Sequence, residues 1–64
     1  MCQATVYVDE TKVMEDVIWF EPTEDGILAR TFFEDPQLIK GILKGVDLLK
    51  HRVILVSPEK INHE

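Results

Sequence analysis

Val17-Ile18-Trp19-Phe20-Glu21-Pro22-Thr23-Glu24-Asp25-Gly26-Ile27-Leu28-Ala29-Arg30-Thr31 sets the fold class of this chain. Its first four residues are β-branched or aromatic, side chains that suit a pleated, half-buried surface, and Pro22 ends the run. Asp25-Gly26 then tolerates the positive φ angles of tight hairpins and is the strongest hairpin signal in the sequence. The stretch reads as strand, turn, strand, with strands at 13–22 and 27–34 running antiparallel.

On the amino-terminal side, residues 2–8 alternate, with Cys2, Ala4, Val6 and Val8 on one face and Gln3, Thr5 and Tyr7 on the other. A period of two is that of a half-buried strand. Asp9-Glu10-Thr11-Lys12 is polar and reads as the first turn. On the other side, Glu34-Asp35-Pro36 is a turn, and the segment after it is ambiguous. Leu38, Ile39, Ile42, Leu43, Val46 and Leu49 follow helical spacing. Gly41 and Gly45 arbitrate, because each costs a helix interior about 1 kcal/mol relative to alanine, whereas in strands glycines mark bulges and bends. Segment 38–48 is therefore read as a bent strand. Residues 52–57 form a fifth strand that stops at Pro58.

The expected fold is all-β: a small five-stranded antiparallel barrel of the SH3-like or Sm-like kind over 1–58, followed by a polar tail at 59–64. Closure removes most exposed strand edges. Several strands are apolar on both faces, yet such a barrel has one interior. The surplus predicts an isologous homodimer.

A chain of 64 residues holds one domain and buries roughly 60% of its unfolded surface. Its single cysteine excludes an intrachain disulfide framework, leaving assembly or a metal as aids to stability. Twelve acidic residues against seven basic ones give a net charge of −5, which repels phosphate and anionic lipid. Neither nucleic acid nor a membrane is expected as partner. No apolar run approaches the roughly 18 residues of a membrane helix, and the acids in the first twenty positions are unlike a signal peptide. The expected location is cytoplasmic, where a lone thiol stays reduced.

Little supports catalysis. His51 lies in a turn and His63 in the tail, no spacing argues for a Cys-His pair, and there is no Walker loop, GxGxxG or CxxC. The chain is expected not to be an enzyme. Asp9-Glu10, Glu24-Asp25 and Glu34-Asp35 fall at predicted turns and read as solvated, without the spacing of a calcium loop. Trp19, Phe20, Phe32 and Phe33 read as packing in the core or a dimer interface rather than a base-stacking platform, given the charge. Met14 reads as a core or interface filler.

Cys2 carries two readings. In phase with Ala4, Val6 and Val8, it is a buried strand residue. As a ligand, its thiolate, its backbone nitrogen and the nearby terminal amine close adjacent chelate rings suited to square-planar Ni(II) or Cu(II), and a two-fold dimer brings two such thiolates together. Imidazole suits the same metals, so His51 and His63 stay open as further ligands.

The opening Met1-Cys2-Gln3-Ala4, the chain length, the hairpin at Glu24-Asp25-Gly26 and the closing Asp47-Leu48-Leu49-Lys50-His51-Arg52-Val53-Ile54-Leu55 together resemble the CooT family of small nickel-binding proteins. The likeness spans nearly the whole chain, and its specificity comes from the combination. It implies a cytoplasmic homodimer of Sm-like β-barrels that binds Ni(II) through Cys2. It further implies a metallochaperone role in nickel delivery to carbon monoxide dehydrogenase or another nickel-dependent client enzyme. His51 falls in a family-like His-Arg-Val stretch, which assigns it no metal role. The competing reading is a protein-interaction module without a metal.

Overall fold

The computed structural model describes residues 3–61. Its strands are β1 (Ala4–Val8), β2 (Thr11–Thr23), β3 (Gly26–Thr31), β4 (Gln37–Ile39), β5 (Ile42–Asp47) and β6 (Arg52–Val56), followed by the single-turn helix α1 (Pro58–Ile61). All six strands belong to one sheet in the order β4-β3-β2-β1-β6-β5.

The fold is all-β as expected, but three details of the expected barrel are corrected. There are six strands among the described residues rather than five, because segment 38–48 is strand in two pieces separated by Lys40 and Gly41. The sheet is mixed rather than antiparallel: β1 pairs parallel with β6, Thr5 facing Arg52 and Val8 facing Leu55. It is also not closed, since no ladder joins the edge strands β4 and β5. Closure is nonetheless approached, because β4 and β5 sit at opposite ends of the strand order and only two residues part them. The sheet must curl to bring its edges together, and β3 touches β5.

Gly41 is where the chain crosses: it is buried, and a Cβ there would lie 3.3 Å from the Leu55 side chain. Gly45 falls at a register shift in the β5–β6 ladder, the bulge expected of a strand glycine.

β2, at 13 residues, is the backbone of the sheet. Its first half pairs with β1 and its second half with β3, and the two ladders meet at Val17, which faces both Ala4 and Thr31. Asp16, at φ 60°, and the register shift between Val17 and Trp19 mark the bend between the halves. Bulges of this kind increase local twist and let one strand serve two neighbours. The β1–β2 connection is a two-residue turn, Asp9-Glu10, with both residues at positive φ (50° and 71°), as a type I′ hairpin requires. Asp25-Gly26 does form a hairpin, but with Glu24-Asp25 as its turn and Gly26 already paired with Thr23. Gly26 is needed for space and conformation together: its φ is 145°, and a Cβ would lie 2.5 Å from the Ile39 carbonyl oxygen.

The core is Val6, Val17, Ile27, Ala29, Val53 and Leu55, one patch drawn from β1, β2, β3 and β6, with Ala4, Val8, Met14, Phe20 and Ile39 packed around it. The alternation of β1 is obeyed, and Met14 is the filler expected. The aromatics divide: Phe20 packs on the core, whereas Trp19, Phe32 and Phe33 are exposed. Asp9 is more than a solvated turn residue. Its Oδ1 accepts the Ser57 N–H at 3.1 Å, tying the β1–β2 turn to the end of β6.

Candidate functional site

The amino-terminal end of β1 enters the sheet between β2 and β6, beside the turn that joins β5 to β6. The Thr5 N–H donates to the His51 carbonyl at 2.9 Å, so the start of β1 is fastened to that turn. Asp47 shapes it: Oδ1 accepts the N–H groups of Leu49 and Lys50 at 3.1 Å each, and Oδ2 accepts Arg52 Nη2 at 3.4 Å. The Lys50 N–H above all, with Arg52 and the Leu49 N–H, holds the Asp47 carboxyl below its usual range against the opposing effect of desolvation.

His51 closes the turn in a left-handed conformation, φ 56°, with its side chain exposed. Arg52 lies with its guanidinium carbon 5.7 Å from the centre of the Tyr7 ring, a cation–π contact worth about 0.5–1 kcal/mol at such a site. Arg52 Nε is buried without a hydrogen-bond partner among the described residues.

Cys2, the residue on which the metal reading rests, lies outside the described residues, as does His63. Among the described residues no three of His, Cys, Asp and Glu converge on a point where a metal ion would sit. His51 is thus a single exposed imidazole, and the acidic pairs are spread over separate turns.

The expected site residue is Cys2, with the two histidines left open; Asp47 and Arg52 carry no expectation. The signal was present. An Asp followed by a short turn is a common Asx arrangement, in which the side chain takes the N–H groups two and three residues on. No helix among the described residues is long and apolar enough to cross a membrane.

Residues 1–56 match the family model for CO dehydrogenase accessory protein CooT. The chain belongs to the CooT family. A protein of uncharacterized function from Methanothermobacter thermautotrophicus is 38% identical over 60 residues, covering 92% of this chain and 94% of the relative. A second, from Methanocaldococcus jannaschii, is 31% identical over 55 residues, covering 86% and 96%. Among solved structures, that of a CooT from Carboxydothermus hydrogenoformans superposes with a TM-score of 0.76 at 30% identity, covering 88% of this chain and 97% of that one. The resemblance carried by the Met-Cys opening and the closing strand is therefore one of family. Membership supports a role related to maturation of CO dehydrogenase, and CooT is an accessory rather than a catalytic family.

Proposed function

We propose that this CooT protein is a non-enzymatic nickel-binding protein, a cytoplasmic homodimer that carries Ni(II) to CO dehydrogenase or another nickel enzyme. Cys2 is the ligand that defines the site. The observation that carries the reading is the family match from residue 1 to residue 56, which takes in Cys2 and the β5–β6 turn beside which β1 begins. The donor chemistry supports it: a thiolate flanked by backbone nitrogens suits square-planar Ni(II). The homodimer has its support in the exposed apolar residues, which a chain this small does not need for its own core.

Thiolate ligation releases protons, so nickel affinity falls as pH is lowered. Calorimetric titration of Ni(II) into the wild type and a Cys2→Ser variant tests the reading. Binding is lost in the variant while its circular dichroism and particle mass stay those of the wild type. Unchanged nickel affinity in the variant would overturn Cys2 as the ligand, and no binding by the wild type would leave the metal-free interaction module as the better account of the exposed surface.

A further inference from the structure

Two exposed features of opposite charge lie outside the core, one apolar and one largely polar. The first is the β5–β6 tip. Leu48 is 79% exposed and Leu49 92%, and with Val46 and Ile54 they line a shallow groove of about 650 Å³. Lys44 lines the groove with them, Lys50, His51 and Arg52 follow in the chain, and Asp47 is the sole acid of 44–52. With Arg52 paired to Asp47, Lys44 and Lys50 leave the tip a basic excess in a chain of net charge −5, bordered at Lys44 by Asp9 and Glu10. The Asp47 hydrogen bonds fix the turn, so the leucines are presented with little loop entropy left to lose on contact.

The second is a hollow of about 310 Å³ between the first half of β2 and the segment after β3, lined by Val13, Met14 and Phe33 together with Glu15, Asp16 and Glu34. Lys12 bonds Glu15 at 3.1 Å, and Asp16 and Glu34 leave the lining an acidic excess.

Resting on the homodimer reading above, we propose that the leucine tip of one copy seats in the acidic hollow of a second copy, and reciprocally, so that a two-fold dimer contains the contact twice. Like-on-like alternatives fail on charge. Tip against tip brings Lys44 and Lys50 toward their own copies across the axis, and hollow against hollow does the same to Asp16 and Glu34. Tip in hollow covers Leu48 and Leu49 together with the exposed Val13 and Phe33 and sets opposite charges around them, the apolar centre and polar rim of specific interfaces. Reciprocal exchange also closes the assembly, where a one-way contact would propagate into a filament.

Metal-free full-length protein is compared by sedimentation in three forms: wild type, a tip variant carrying Lys44→Glu with Lys50→Glu, and a hollow variant carrying Glu15→Lys with Glu34→Lys. The wild type sediments as two chains and each variant as one, with unchanged circular dichroism. An equimolar mixture of the two variants returns to two chains, because in a mixed dimer both contacts again pair opposite charges. Variants that stay dimeric, or a mixture that stays monomeric, overturn the proposal. Leu49→Ser serves as a second tip variant, giving one chain per particle with no change of charge. A monomeric wild type removes the homodimer reading itself, whereas dimeric wild type with dimeric variants removes only this surface. Dissociation of the variants without recovery on mixing points instead to a different face of the second copy. None of these outcomes depends on nickel.

Discussion

Leu49 and Leu55 are six positions apart and chemically identical, yet Leu49 is 92% exposed and Leu55 not at all. Leu55 sits on β6, whose neighbours β1 and β5 put backbone on both sides and whose inner face meets Val6 and Ile27 in the core. Leu49 sits at the tip of a hairpin whose outer strand is the edge of the sheet. In so small a chain the apolar residues divide into those that hold the fold and those the fold holds outward. Hydropathy does not tell them apart; position in the sheet does.

The largest effect that sharpens this contrast is Leu55→Ala. It removes a fully buried side chain beside Val6, Val53 and the buried Gly41, with an expected loss of about 2–5 kcal/mol. That is much of the stability of a domain this size. Urea unfolding should show it, and a loss below about 1 kcal/mol would break the assignment of Leu55 to the core.

Asp47→Asn stands between the extremes, because Asp47 shapes the exposed tip without belonging to the core. Its folded pKa lies below the unfolded value. The ionised carboxylate therefore contributes stability above the unfolded pKa, and that contribution is lost as pH falls through the folded pKa. The wild type should lose melting temperature below about pH 4, the ordinary carboxylate range, and Asp47→Asn should remove part of that slope. An identical acid profile in the variant would show that the carboxylate charge does not brace the turn.

Leu49→Ser is the smallest in stability, expected within about 0.5 kcal/mol of the equally monomeric Lys44→Glu, Lys50→Glu variant by the same unfolding measurement. Its effect belongs to assembly, as set out above. A large loss of stability here would erase the comparison by making Leu49 part of the fold.

Much of the secondary structure was legible in the residues. The alternation of β1, the apolar block of β2 and the glycines of 38–48 each act within a few positions, and backbone sterics carry that information locally. Less legible was which strand pairs with which. Hairpin logic sees only neighbours in sequence, so it supplies antiparallel partners and has no signal for β1 lying parallel to β6, across more than forty residues. The same blindness hid the turn at 48–51 as the neighbour of the amino terminus. The Asp9 link to Ser57 spans 48 positions and has no pattern at all.

By itself the sequence determined the all-β class, the strand periods and the family, because these rest on side-chain chemistry, local spacing and resemblance over the chain. The tertiary structure alone decided that the sheet is mixed and unclosed. It also decided that β1 begins beside an Asp47-braced turn, and that Leu49 faces solvent while Leu55 does not. Pairing and burial are properties of the whole curled sheet, settled when distant strands compete for one small core.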